Sequence, residues 1–352
     1  MMNKKISAGL VSLALMTAIG GNISRVQASE CGLSCCIAAG VEGMGSATGF
    51  TATVQYDTMN METILQGSTE LTPQQARTIT GMNLAVPTEM VMQKISTNIA
   101  YRLDEDNAFL LTVPYIINDM DMLNPMGMPM TMDTVQGLGD VSLLYLRDIY
   151  KDAPMRTRQR VSVGVGVKAP TGDHESRNRN GDLVHMMMQA GTGSWDFFLL
   201  ANGTHGFGSH EDGGAQWLLS PSLMYQINTR NDLGYKVGDR LNYDLSGRYR
   251  LTSMFNVKLD LNGVWAGKDS TDGTIDPVSP GGRVAYQNPM MSLIDNVQNT
   301  GLNSLFISPG LQWVVTPSFI VSGEYRIPVY QDVTGIQQVT DNWLFLRASV
   351  RF

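Results

Sequence analysis

Methionine is the first residue type in this sequence whose number and spacing point to chemistry. The chain of 352 residues holds 23 of them. They cluster as Met59, Met61, Met82, Met90 and Met92, then Met120, Met122, Met126, Met128, Met130 and Met132, then Met186, Met187 and Met188. Thioether sulfur is a soft donor suited to Cu(I). Met120, Met122, Met126, Met128, Met130 and Met132 therefore form a candidate copper-capture set, to which His174 and His185 add imidazole nitrogen. No fixed spacing defines such a site, and methionine equally supplies pliable apolar surface for loop packing or for greasy ligands. The weight falls on the apolar reading.

Cys31, Cys35 and Cys36 are the chain's three cysteines. In an oxidising compartment an odd set implies one disulfide with a spare thiol, or a partner. Their C-x-x-x-C-C spacing is not a zinc or haem signature, so a disulfide-bearing tail or plug is the simpler reading. His174-Glu175-Ser176 resembles half of the His-x-Ser arrangement of outer-membrane phospholipases, but it lies among Arg177, Asn178 and Arg179 without a companion motif. No Gly-x-Ser-x-Gly elbow, zinc helix or P-loop is present. Neither an enzyme nor a bound cofactor is expected.

The elements that must position these residues are strands. Phe50, Ala52, Val54 and Tyr56 alternate with Thr51, Thr53, Gln55 and Asp57. A period of two puts each set on its own face of a sheet. The pattern returns in Val161, Val163, Val165 and Val167 against Ser162, Gly164, Gly166 and Lys168, and it persists to the final Phe352. Such runs number about twelve. In the second half the polar face carries charge: Arg240, Asp244, Arg248 and Arg250, then Lys258 and Asp260, then Glu324 and Arg326. These side chains cannot face hydrocarbon without a large cost, so they are expected to line an interior. There they either set the electrostatics of an open lumen or close a narrow barrel as a satisfied network. Tyr101, Trp195, Tyr243, Trp265, Trp313 and Trp343 are expected in interfacial girdles.

The expected class is all-β, a transmembrane antiparallel barrel of about twelve strands with long extracellular loops. Residues 1–28 read as a cleavable signal peptide, with Lys4 and Lys5 before an apolar stretch and Ala28 at the cleavage position. Residues 29–49 then form a periplasmic segment or plug, and 50–352 the barrel. Short turns near 104–107, 252–254 and 316–318 alternate with longer loops near 60–89, 118–137, 171–192, 229–238, 267–300 and 331–341, as in a barrel inserted from the periplasm. A net charge of −7 without a basic run excludes nucleic acid as a partner. The expected location is the bacterial outer membrane. The expected partners are its lipid, a small-molecule solute and, through the C-terminal strand, the barrel-assembly machinery.

Three stretches resemble a known family. They are Gly137-Leu138-Gly139-Asp140-Val141, then residues 165–173 reading VGVKAPTGD, then Gly191-Thr192-Gly193-Ser194-Trp195-Asp196. Their order and spacing are similar to those of the outer-membrane transporters associated with the meta-cleavage pathway of phenol degradation. The resemblance implies a barrel that passes small, hydrophobic or aromatic molecules, and it carries no catalytic residues to transfer.

Overall fold

A computed structural model describes residues 48–79, 83–153, 157–211, 213–272 and 292–352. Residues 1–28, expected as a signal peptide, most of the expected periplasmic segment 29–49 with Cys31, Cys35 and Cys36, and Met82 lie outside the described residues.

Alternation along the strands builds a closed antiparallel wall. In chain order the strands are β1 (Gly49–Gly67), β2 (Thr69–Leu71), β3 (Val86–Arg102), β4 (Asn107–Leu123), β5 (Pro129–Thr131), β6 (Val135–Leu138), β7 (Ser142–Lys151) and β8 (Gln159–Lys168). They continue as β9 (Asp196–Phe207), β10 (Trp217–Ile227), β11 (Tyr235–Lys236), β12 (Arg240–Arg250), β13 (Phe255–Ala266), β14 (Ser270–Thr271), β15 (Leu302–Thr316) and β16 (Phe319–Arg351). Around the wall the order is β16-β15-β13-β12-β10-β9-β8-β7-β4-β3-β1, and β16 pairs with β1 to close it. The short strands β2, β5 and β6 pair with β1 or β4. Before β3, a helix α1 (Pro73–Thr78) starts with a capping box between Thr72 and Gln75.

β16 accounts for two of the expected strands. Its 33 residues would span about 110 Å if straight. Phe319 to Val333 pairs with β15, whereas Val333 to Arg351 pairs with β1. The Arg351 N–H donates to the Ser318 carbonyl at 3.1 Å, so both limbs end side by side. Gly335, at φ 70°, sits where they reverse. The wall therefore has twelve limbs. The stretch 331–341, expected as a loop, is strand on both sides of this reversal.

The two ends differ. Residues 103–106, 251–254 and 317–318 make short turns at one end, with 152–158 and 208–216 somewhat longer. In the first, the Asn107 side chain and the N–H groups of Asp106 and Asn107 hydrogen-bond the Asp104 carboxylate and hold its pKa below the ordinary value. Among the described residues, the long connections lie at the opposite end. No helix among the described residues is long and apolar enough to cross a membrane.

The wall's outer face is apolar, with Leu143, Val165, Leu199, Leu223 and Leu259 all exposed. Near the short turns it carries aromatic pairs: Phe50 on Tyr101 at 4.4 Å, Trp217 on Tyr249 at 4.5 Å and Phe255 against Trp313 at 6.1 Å. Trp343 departs from its expected girdle position. It lies on the inward parity of the second β16 limb, where its indole N–H donates to Asp57 at 3.1 Å.

Candidate functional site

Inward parity places the candidate site inside the wall, and its two sides have different chemistry. Ala100, Ala108, Leu110, Leu144, Leu146, Phe198, Leu200 and Met224 form one buried apolar cluster spanning β3, β4, β7, β9 and β10. Two glycines of β8 make room for it. A Cβ at Gly164 would come 2.8 Å from Leu146 Cδ2, and one at Gly166 would come 2.8 Å from Leu144 Cδ1.

The facing side is charged. Lys258 Nζ pairs with Glu324 and lies 3.3 Å from Asp260 Oδ2, and Arg347 pairs with the other Glu324 oxygen. Ser246 donates to Asp260 at 2.7 Å. Beside this belt the Arg326 guanidinium stands 4.9 Å from the Phe345 ring centre, 5.0 Å from Trp343 and 5.7 Å from Phe306. These three inward aromatic rings escape an outward-facing reading of the pattern, and their parity is the signal that identifies them. Gly310 clears the space for Glu324, whose Cγ would be 2.6 Å from an added Cβ.

The eight charges expected to line the interior are thus unequally placed. Lys258, Asp260, Glu324 and Arg326 are buried in the network. Asp244 is half-buried and accepts from Asn262 Nδ2 at 2.8 Å. Arg248 and Arg250 are half-buried toward the short-turn end of β12. Arg240 is exposed at the opposite end of that strand and lies outside the buried belt.

Methionines line the interior near the long loops. Met59 and Met61 of β1, Met90 and Met92 of β3, and Met120 and Met122 of β4 occupy inward positions, with Met61 opposite Met90 and Met90 opposite Met120. Met132, Met187 and Met188 pack against the same cluster. Burying Met61, Met90, Met120, Met122 and Met188 contributes about 1.5–3 kcal/mol each. The six-residue copper set is divided by this arrangement. Met120 and Met122 lie in β4 rather than in a loop and are buried. Met126, Met128 and Met130 are exposed, with Met130 in β5. The reason is local: the Asn124 side chain accepts the N–H groups of Met126 and Met128 and turns that tip away from the interior.

The connection 169–195 between β8 and β9 reaches this methionine surface from above. Met188, in a single 3₁₀ turn Met186–Met188, has no exposed surface. Its carbonyl accepts from the inward Asn118 side chain at 3.0 Å. His185 Nδ1 lies 2.7 Å from Asp295 Oδ1 on the connection before β15. This segment is a lid on one end of the interior.

The three motif stretches meet at the root of the lid. Lys168 Nζ lies 2.7 Å from Asp140 and 2.5 Å from Asp196, and all three side chains are buried. Asp140 also accepts the N–H groups of Gly172 and Thr192, each at 3.0 Å. Gly139, Gly172 and Gly191 let the backbones touch: a Cβ on Gly191 would lie 2.5 Å from the Gly172 carbonyl, and one on Gly172 would lie 2.9 Å from the Gly139 carbonyl carbon. Pro170-Thr171-Gly172 does end a strand, as its composition implies. The buried ion cluster beneath it was invisible without the fold.

The His174-Glu175-Ser176 stretch does not assemble a nucleophile. The Ser176 hydroxyl donates to Asp173 at 2.6 Å, while His174 Nε2 pairs with Asp232 at 2.8 Å.

Residues 100–327, more than half of the chain, match the family model described as "Putative MetA-pathway of phenol degradation". The crystal structure of an outer membrane channel from Pseudomonas putida F1 is similar, with a TM-score of 0.56 and 11% identity over 88% of this chain and 97% of that one. The translocator domain of the autotransporter NalP from Neisseria meningitidis has a TM-score of 0.40 and 11% identity over 87% and 89%. A FadL homologue from Pseudomonas aeruginosa has a TM-score of 0.39 and 8% identity over 86% and 90%. No curated protein sequence matches the chain significantly.

Proposed function

The chain belongs to the MetA-pathway phenol-degradation family, and on that premise we propose that it is a bacterial outer-membrane channel for passive passage of small, hydrophobic or aromatic molecules. The observation that carries this reading is the two-sided interior. An apolar face of leucine, phenylalanine and methionine runs opposite a fixed belt of paired charges. Apolar surface gives a greasy solute a favourable path, while the belt keeps its own charges satisfied and disfavours a sliding ion. The methionines enter as adaptable lining that reshapes around solutes of different outline. The exposed outer leucines and valines suit contact with lipid, and the limb ending in Phe352 is the segment offered to the barrel-assembly machinery.

Uptake of a radiolabelled monoaromatic hydrocarbon into cells with and without the protein tests the channel, with a disaccharide as control. Uptake of the hydrocarbon should rise several-fold with the protein, and Phe198→Asp, which puts a charge on the apolar face, should abolish most of the gain. Equal uptake with and without the protein would defeat the proposal.

A further inference from the structure

We propose that His174, Glu175 and Asp232 form a binding site for a divalent cation of the zinc(II) class, which staples the lid to the connection after β10. The three residues come from two segments. His174 and Glu175 lie in 169–195, whereas Asp232 lies in 228–239. One donor atom of each lies within 4.8 Å of the others. A tetrahedral zinc with bonds of about 2.1 Å sets its donors about 3.4 Å apart, so small side-chain rotations close the site.

Two observations separate this trio from an ordinary surface pair. The imidazole is held by packing: an added Cβ at Gly193, which has φ 71°, would fall 2.4 Å from the His174 ring. Gly193 thus serves as the floor on which the ring is seated, leaving the side chain only 20% exposed with Nε2 aimed at Asp232. Charge is the second observation. Among the described residues no lysine or arginine forms an ion pair with Glu175 or Asp232. A neutral imidazole with two carboxylates carries a charge of −2, which one divalent cation balances. On binding, the neutral His174 ring takes the tautomer with its proton on Nδ1, so that the Nε2 lone pair takes the metal, while water fills the open position. One nitrogen and two oxygens favour zinc(II) over the Cu(I) that thioethers select.

The site stands beside existing ties between the same two segments. Asn231 Nδ2 donates to the Thr192 carbonyl at 3.0 Å, and the Thr229 N–H donates to Asp196 at 3.0 Å. A metal there adds a tie at the lid's outer edge, where external cations reach it. The assignment stands whether or not the barrel conducts aromatic solutes.

Calorimetric titration of zinc(II) into the purified full chain tests it, with Cys31, Cys35 and Cys36 alkylated so that thiolates do not compete. One zinc per chain is expected. His174→Ala and Asp232→Asn should each weaken binding at least tenfold, and His205→Ala should leave it unchanged. Absence of binding, or equal binding by wild type and both variants, overturns the site as an adventitious surface contact. Because a variant can misfold, the wild-type protein loaded with Cu(II) gives a separate reading. Electron paramagnetic resonance should resolve coupling to one imidazole nitrogen, and a spectrum without nitrogen coupling rejects the assignment.

Discussion

Lys168 is the cation on which two carboxylates from separate parts of the chain converge. Asp140 precedes β7 and Asp196 opens β9, and neither is near Lys168 in sequence. Deleting one partner of a buried ion pair leaves an uncompensated charge and typically costs about 3–5 kcal/mol. Lys168→Met keeps an unbranched apolar stem but removes the ammonium and strands both carboxylates. A loss of that order is expected in equilibrium denaturation of the refolded barrel, and a variant as stable as wild type would show that the cluster is not held by charge. Lys168 and Asp196 both belong to stretches legible in the sequence as family motifs. Their pairing was not legible, because it joins neighbouring strands whose register nothing local announces. The same holds for Trp343. Its type suited an interfacial girdle, but its parity turned it inward toward Asp57 and Arg326.

At the scale of elements the lid is the feature with consequences. Its root depends on backbones that touch through Gly139, Gly172 and Gly191, and its far end depends on Met188 docking among inward methionines. Gly191→Val places branched carbon where the Gly172 carbonyl and the Asp140 carboxylate already stand, and so should lift the lid at its root. The expected result is proteolytic cleavage within 169–195 together with faster uptake of the hydrocarbon. Cleavage without any change in uptake would separate the lid from permeation. The glycines were visible as strand and loop punctuation, since glycine marks close backbone approach. Which backbone approaches was decided by packing. The doubled β16 makes a related point. Residues 331–341 have the polar, irregular composition of a loop, yet their N–H and carbonyl groups are taken up by the long β1 and β15 beside them.

For the whole molecule, the decisive event is closure of the last limb on the first. Thr51 pairs with Arg351, and the Phe352 N–H donates to the Phe50 carbonyl at 2.9 Å. Removing Phe352 deletes one hydrogen bond and one exposed ring, a small loss for the finished barrel. If the terminal residue is read during assembly, its deletion should leave refolding in detergent unchanged and lower the amount of folded, heat-modifiable protein in cells. Equal amounts in cells would remove the terminus from that role.

What the chain determined by itself is the wall. Alternation of oily and polar side chains is a local property, each residue's face follows from its neighbour's, and the outward apolar surface was already implied by the order of letters, as was the charged part of the interior but not its leucine and methionine part. Strand number and the sorting of short turns from long connections followed for the same reason. The tertiary structure alone decided how the interior is shared out. Which inward residues oppose one another depends on register and on the closure of β16 against β1. Only that closed geometry set leucines across from a charge belt, gathered methionines of three strands under one lid, and drew Asp140, Lys168 and Asp196 to a single point.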